Sequence, residues 1–316
     1  METTWRTLTL TALAPIAWGS SYYVADSYLP PDRPLFGAVV RALPFGLLLL
    51  AFRPRLPRGV WWWRALVLGI LNVGAFFVLI FVAAYRLPGG TAATLTATAP
   101  IAVMLLAWGL VRERPLRASV LGALVGGVGV AVLVLRGSVV VDPLGVAASL
   151  GAVAMSSLGY VLIKRWPLPE VPGEPRFRRV DLLTLTAWQL VIGGLALLPV
   201  ALAVEGPPPS IDVPAVGGFL YIGLFGTLVA NVVWFRGLRR LPAAAVALVG
   251  LLNPVAGTIV GVVLAGEVFG WTQVLGMTLV LGGVVAGQPA LAARLRRRRT
   301  ATVAILDLAE APRSAA

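Results

Sequence analysis

The sequence contains no cysteine and no histidine. Without cysteine the chain can form no disulfide, thiolate nucleophile or iron–sulfur cluster, and without histidine it has no imidazole base, zinc triad or haem ligand. It also has no phosphate-binding loop and no Gly-x-Ser-x-Gly elbow. A Ser157/Lys164 dyad is excluded because these residues would lie about 10 Å apart along a helix. We therefore expect no catalysis, no metal and no cofactor.

Charged residues are scarce and apolar residues are abundant. Charged side chains make up 12% of the chain, against about 25% in a typical soluble domain. Apolar residues make up 59% of the 316 positions. Ten membrane spans of about 20 residues require roughly 200 residues, and the number of apolar residues in the chain is close to that. This composition predicts an integral membrane protein whose solvent is the bilayer.

Hydrophobic runs recur along the whole chain, separated by Pro, Gly and Arg clusters. They predict an all-α fold with ten transmembrane helices. The predicted spans lie near 8–29, 34–52, 64–85, 90–111, 118–135, 143–163, 181–203, 214–235, 242–265 and 271–292.

The basic residues are distributed asymmetrically between alternate loops. With the N-terminus placed in the cytoplasm, 22 Lys and Arg residues fall in cytoplasmic segments and 3 in external loops. Short positively charged loops stay inside, so we expect a cytoplasmic (inner) membrane protein with both termini cytoplasmic. The Arg cluster after position 293 then contacts anionic membrane lipid rather than nucleic acid.

An internal repeat relates the two halves of the chain at an offset of 154 residues. This offset aligns Pro100 with Pro254 and Glu113 with Glu267, and 12 of the 47 positions from Leu87 to Leu133 are identical. Each predicted repeat has five spans. Because five is an odd number, the second copy enters the membrane from the opposite face, and we expect two inverted five-helix repeats.

The domain organisation follows from this repeat. The first half covers 1–166, in which repeat 1 occupies about 8–135 and repeat 2 begins at about 143. A cytoplasmic hinge loop, rich in Pro, Glu and Arg, covers 167–180. The rest of repeat 2 covers 181–293, and a basic cytoplasmic tail covers 294–316.

Prolines at matching positions of the two repeats indicate where a transport site could lie. Pro100 and Pro254 each fall at mid-span, where proline leaves a carbonyl about one turn earlier without its donor, near Thr96 and Gly250. A packing kink satisfied by neighbouring helices is the alternative.

Polar and aromatic side chains within the spans complete the candidate site. On the first span, Trp18, Ser21, Tyr22 and Asp26 share one helical face, and an interfacial aromatic belt is the alternative. For the hydroxyls and amides of the third, fourth and eighth spans, the alternative is interhelical hydrogen bonding. The candidate substrate-binding residues are Trp18, Ser21, Tyr22, Arg41, Asn72, Thr94, Thr98, Pro100, Ser157, Tyr160, Asn231, Trp234, Asn253 and Pro254.

Charged residues near the spans are candidates for coupling and gating. Arg41 lies within the second span, where it could snorkel outward, pair with Asp26, bind helix carbonyls, or face a wet cavity and contact substrate. Asp26 is the leading candidate for proton coupling. For Glu113 and Glu267 we expect a role in closing a helix turn or forming a gate, and proton transfer is the alternative. Gly283 and Gly287 permit close helix contact, in an internal seam or at a homodimer face.

These motifs together resemble a known family. Trp18-Gly19-Ser20-Ser21, Arg41, Arg112-Glu113-Arg114 and Asn253-Pro254, in this order and repeat spacing, resemble the EamA-like family of the drug/metabolite transporter superfamily. The resemblance implies a ten-helix exporter whose substrates include amino acids and related small metabolites. The expected function is export by alternating access. A passive facilitator of small amphiphilic solutes and a non-transporting membrane partner are the alternatives.

Overall fold

The computed structural model describes residues 2–87, 89–134, 142–169 and 180–294, and regular structure in these ranges is helical throughout. We number ten helical segments in chain order. They are α1 Glu2–Tyr28; α2 Pro34–Phe52; α3 Trp61–Gly69, Ile70–Gly74 and Ala75–Arg86; α4 Gly89–Thr96 and Ala99–Val111; α5 Arg117–Val134; α6 Pro143–Arg165; α7 Leu182–Glu205; α8 Val213–Gly223, Leu224–Val229 and Ala230–Arg240; α9 Ala243–Val249 and Leu252–Leu264; and α10 Trp271–Ala286. Much of the predicted hinge, 170–179, and the tail from 295 onward lie outside the described residues.

Eight of these segments, α2 to α9, are long and apolar enough to cross a membrane. At most half of each apolar stretch is buried inside the protein. Large apolar side chains face outward, and Trp271 is 85% exposed. Outward-facing apolar surface on this scale is typical of contact with lipid. The predicted all-α membrane protein is therefore confirmed.

Several helices begin at an aspartate that accepts a backbone hydrogen bond. Asp142, Asp181 and Asp212 each accept from the N–H three residues later, at 2.7, 2.9 and 2.8 Å, as N-cap residues do. The bond from Gly145 lowers the pKa of the Asp142 carboxyl, and the nearby positive charge of Arg86 adds to this effect.

Helices α5 and α10 pack closely through glycines. A Cβ on Gly283 would lie 2.5 Å from the Gly122 carbonyl oxygen, and one on Gly276 would lie 2.8 Å from the Gly129 carbonyl oxygen. Gly283 and Gly287 are buried against α5. Of the two alternatives left open for this glycine pair, the internal seam is the one that the structure contains.

Two helices in each half are irregular at matching positions. Helices α3 and α8 contain π-helical turns at Ile70–Gly74 and Leu224–Val229, whose first residues are 154 positions apart. Helix α4 breaks between Thr96 and Ala99, and α9 breaks between Val249 and Leu252. The predicted interruptions next to Pro100 and Pro254 are therefore confirmed. The Gly250 carbonyl was expected to lack a donor. Instead it accepts a hydrogen bond from the Asn253 N–H at 3.1 Å.

Contacts between helix termini show which ends lie together. Trp188 at the start of α7 donates to the Arg55 carbonyl at 2.6 Å, just after α2. Arg64 in α3 stacks over Trp166 beyond α6, and Arg165 donates to the Leu110 carbonyl in α4. We call this the basic end of the bundle. The opposite end contains Glu205, whose carboxylate accepts from the first residues of α2.

Candidate functional site

Three aromatic side chains from three helices meet in the core. Trp18 of α1 and Trp234 of α8 have ring centroids 5.2 Å apart, and Tyr160 of α6 lies 5.6 Å from Trp234. Both contacts are edge-to-face, the arrangement that aromatic quadrupoles favour. Trp234 is only 3% exposed. The sequence predicted all three as site residues, and the structure brings them together.

Several buried polar atoms have no hydrogen-bond partner in the described part of the chain. They include Trp234 Nε1, Ser157 Oγ, Asn72 Oδ1 and Asn253 Oδ1, all from predicted site residues. Leaving such a group unpaired costs about 1–3 kcal/mol, so native proteins keep few of them. These atoms can form hydrogen bonds with a bound solute. Ser149 Oγ and Gln288 Oε1 are also unpartnered, and the sequence did not single them out.

Asn72 lies in the π-helical turn of α3 and faces two other helices. Its Nδ2 donates to Gln189 Oε1 of α7 at 2.7 Å. A Cβ at Gly159 of α6 would lie 2.1 Å from Asn72 Oδ1, so only glycine leaves room for this amide. Gln189 was not among the predicted site residues; its amide within an otherwise apolar run was the available signal.

Arg41 is bound to the π-helical turn of α8. Its Nε donates to Thr227 Oγ1 at 2.8 Å, and its Nη2 donates to the Gly226 carbonyl at 2.9 Å. The guanidinium also lies 5.2 Å from the centre of the Phe77 ring. A π-helical turn disturbs the regular backbone hydrogen-bond ladder, and Arg41 supplies a donor there.

Pairing with Asp26, one of the alternatives considered for Arg41, is not found among the described residues. Asp26 is exposed near the end of α1, and no ion pair joins it to Arg41 among the described residues. The physical reason is that the guanidinium donors point toward α8. Arg41 thus binds a helix carbonyl, one of the roles considered for it.

The remaining predicted residues differ in exposure. Ser21 is buried and donates to the Ala17 carbonyl at 2.6 Å, whereas Tyr22, one residue later, is 67% exposed. Among the predicted binding residues, Ser21, Pro100, Ser157 and Trp234 are buried; Trp18, Arg41, Asn72, Thr94, Tyr160, Asn231, Asn253 and Pro254 are partly buried; and Tyr22 and Thr98 are exposed.

Glu113 links three helices at the basic end. Its Oε1 lies 2.5 Å from the Lys164 ammonium of α6, and its Oε2 accepts from the Ala243 N–H of α9 at 2.9 Å. Lys164 also donates to the Leu241 carbonyl at 2.6 Å. Glu113 therefore ties α4 to α6 and α9, which fits a closing contact. Glu267, its repeat equivalent, is exposed.

A cavity of about 470 Å³ lies beside this contact. In the described part of the chain, its charged lining consists of Glu113, Arg114, Lys164, Arg239 and Arg240, and its other lining residues are apolar or proline. None of these cations was among the residues predicted to bind substrate. Their convergence on one cavity was not predictable from spacing, because the lining comes from separate helices.

A bundle of apolar helices with paired interruptions and a polar, aromatic centre defines a helical membrane transporter. The EamA-like transporter family model matches residues 5–135 and 143–286. The chain belongs to the EamA-like transporter family, as its motifs predicted. Members of this family are transporters and not enzymes.

Individual relatives agree with this assignment. The chain is 35% identical to protein PecM of Dickeya dadantii over 275 residues, covering 87% of this chain and 90% of PecM. It is 26% identical over 285 residues to the uncharacterized inner membrane transporter YedA of Escherichia coli, covering 85% and 86% of the two chains. One solved crystal structure matches with a TM-score of 0.74 at 22% identity, covering 92% of this chain and 99% of that one. This last likeness shows the fold alone.

Proposed function

We propose that this protein exports amino acids or related small metabolites across the cytoplasmic (inner) membrane by alternating access. The observation that carries the proposal is the pair of matched irregularities: π-helical turns in α3 and α8, and breaks in α4 and α9. Interrupted helices at equivalent positions of two repeats surround the substrate site in many secondary transporters. Irregular backbone within a membrane is tolerated where it lines a cavity or is buried in protein.

The proposed architecture is ten spans in two inverted five-helix repeats. The packing supports it: α5 packs along α10 and α2 along α7, while α1 packs on α8 and α9 as α6 packs on α3 and α4. The two ranges matched by the family model fall on the two repeats. Helix α1 has 27 residues and is about 40 Å long, enough to span a bilayer. Helix α10 is shorter and lies against α5.

The proposed substrate site lies around Trp18, Tyr160 and Trp234. Their rings supply apolar surface, and the unpartnered atoms of Ser157 and Asn253 supply hydrogen-bonding groups. Such a site suits a small amphiphilic solute, because burying both kinds of surface requires both kinds of partner. The Glu113 contact closes the basic end while the solute is held.

The proposed orientation places the basic end in the cytoplasm. The 22-to-3 distribution of basic residues supports this assignment. Both termini are then cytoplasmic, and export carries the solute from the basic end to the end that contains Glu205.

Growth and retention measurements test the proposed function. Cells expressing the protein are challenged with a panel of toxic amino acids, amines and their analogues, and intracellular retention is measured for each compound. We expect resistance and lower retention for a subset of the panel. Trp234→Ala, which removes the central ring, should abolish this difference at equal membrane abundance. Unchanged retention of every compound would contradict the proposal.

A further inference from the structure

Lys164 is the only lysine among 26 basic residues, and its side chain is 16% exposed. An ammonium group has three donors. Two of them are used by Glu113 Oε1 and the Leu241 carbonyl oxygen, at 2.5 and 2.6 Å. The structure gives the third donor no partner in the described part of the chain. Lys164 therefore lines the cavity with one donor available.

The cavity beside Lys164 carries an excess of positive charge. Among the described residues, four cations line it, Arg114, Lys164, Arg239 and Arg240, and one carboxylate does, that of Glu113. Arg239 is fixed to the end of α6, since its Nη1 donates to the Ile163 and Trp166 carbonyls at 2.8 and 3.2 Å. A cleft lined by one sign of charge concentrates ligands of the opposite sign.

The rest of the cavity wall is apolar. It includes Met104, Ala107, Leu116 and Ala244. At about 470 Å³, the cavity lies within the range of small-molecule sites, about 300–1,000 Å³. Cationic and apolar walls together fit a small organic anion with an apolar body, better than they fit a cation or a fully polar solute.

Glu113 shows which anionic group the site accepts. It is a carboxylate already bound to Lys164 by one oxygen, while its other oxygen holds the first N–H of α9. A second carboxylate entering the cavity meets the same ammonium and competes with Glu113 for it. Because Glu113 joins α4 to α9, both of them interrupted helices, losing the Lys164 contact loosens the closure of the basic end.

We propose that this cavity is the loading site for a small organic carboxylate, which displaces Glu113 from Lys164. The inference rests on the proposed function and specifies its substrate class. The carboxylate binds the Lys164 ammonium and draws further attraction from Arg114 and Arg240. Its apolar body lies against the wall of the cavity, and the released Glu113 no longer ties α4 to α6.

Binding of phenylacetate and of its neutral isostere phenylacetamide to the purified full chain tests this proposal. Intrinsic tryptophan fluorescence in a neutral detergent reports the binding. We expect phenylacetate to bind at least tenfold more tightly than phenylacetamide. Lys164→Gln should remove that preference, and Glu113→Gln should tighten phenylacetate binding severalfold because the internal competitor is lost. Arg53→Gln removes a cation that lies outside the cavity, so it should leave binding unchanged.

Two results would overturn the loading site. One is equal affinity of the parent for both compounds, and the other is a preference that survives Lys164→Gln. If Lys164→Gln does not fold, phenylacetate binding by Glu113→Gln is compared with binding by the parent. Binding by Glu113→Gln that is unchanged or weaker than that of the parent would overturn the proposal. Repeating the titration in nanodiscs distinguishes a soluble carboxylate from a lipid headgroup. Loss of phenylacetate binding in phosphatidylglycerol but not phosphatidylcholine would assign the cavity to lipid and overturn the proposal.

The retention panel separates this inference from the proposed function. Lys164-dependent phenylacetate binding without export of any compound would contradict transport and leave the loading site standing. Export that shows no preference for carboxylates would contradict the loading site and leave transport standing.

Discussion

Arg112 and Gly266 lie 154 residues apart, and both have left-handed backbone conformations, with φ of 59° and 68°. Each follows the end of an equivalent helix. The next residue, Glu113 or Glu267, donates its N–H to the carbonyl six residues earlier, at 3.2 and 3.1 Å. In both places the left-handed residue turns the chain so that the following N–H reaches back to a carbonyl near the end of the helix. Helices α4 and α9 therefore end in the same way, α4 with arginine and α9 with glycine in the left-handed region.

Substituting these two positions should have opposite effects on stability. Arg112→Gly removes a side chain from the left-handed region, and Gly266→Ala introduces one. Each change should alter the free energy of unfolding by about 1 kcal/mol, stabilising for Arg112→Gly and destabilising for Gly266→Ala. Thermal unfolding of the detergent-solubilised protein measures both. Shifts of the same sign would contradict the prediction.

Adjacent glycines in α10 should differ sharply in their tolerance of alanine. A Cβ at Gly283 would lie 2.5 Å from the Gly122 carbonyl oxygen, whereas one at Gly282 would meet nothing within 4 Å. Gly283→Ala should therefore destabilise the protein by about 1–3 kcal/mol through overpacking. Gly282→Ala is the matched control and should be neutral or slightly stabilising, since alanine is the better helix former. Equal melting temperatures would contradict the internal seam.

The contact between Arg41 and Thr227 should appear as energetic coupling. Arg41→Gln and Thr227→Val each break the 2.8 Å hydrogen bond. Once one substitution has broken this hydrogen bond, the other has no bond left to break. The loss of unfolding free energy in the double variant should therefore be smaller than the sum of the two single losses, by about 0.5–3 kcal/mol. A double-mutant cycle of unfolding free energies measures this. Strict additivity would show that the two side chains act independently.

Asp142 should make stability depend on acidity at the start of α6. Its folded-state pKa is lowered by the Gly145 N–H and by Arg86, so it lies below the unfolded value of about 3.9. The resulting stabilisation is present above the unfolded pKa and is lost as the pH falls through the folded pKa. Asp142→Asn keeps a capping oxygen without the charge. The stability advantage of the parent over this variant should shrink below about pH 4; an advantage that grows on acidification would contradict the account.

The sequence predicted the helices because their signals are local. Apolar runs ended by Pro, Gly and Arg identify segments of membrane-spanning length, and proline marks the breaks in α4 and α9. The π-helical turns at Ile70–Gly74 and Leu224–Val229 escaped prediction because no residue type specifies them. They are defined by the pattern of backbone hydrogen bonds alone.

The contacts among the candidate site residues were predicted only in part, for a related reason. Trp18, Tyr160 and Trp234 were identified individually, because large aromatics and hydroxyls inside spans are unusual. Their contacts join helices far apart in sequence, and helix periodicity does not determine which faces meet. The same limit hid the binding of Arg41 to Thr227 and the convergence of cations beside Glu113.

The most direct test of alternating access is the labelling of a single cysteine at the centre of this cysteine-free chain. Ser157→Cys is nearly isosteric, and Ser157 Oγ is buried and unpartnered within the described residues. Ser119→Cys is the control, because Ser119 Oγ is held in the α5–α10 seam by the Gly287 carbonyl at 2.8 Å. A membrane-impermeant thiol reagent is applied to each face of the membrane, using right-side-out and inside-out vesicles. The account predicts that Ser157→Cys reacts from both faces and Ser119→Cys from neither; reaction of Ser157→Cys from one face only, or from neither, would contradict it.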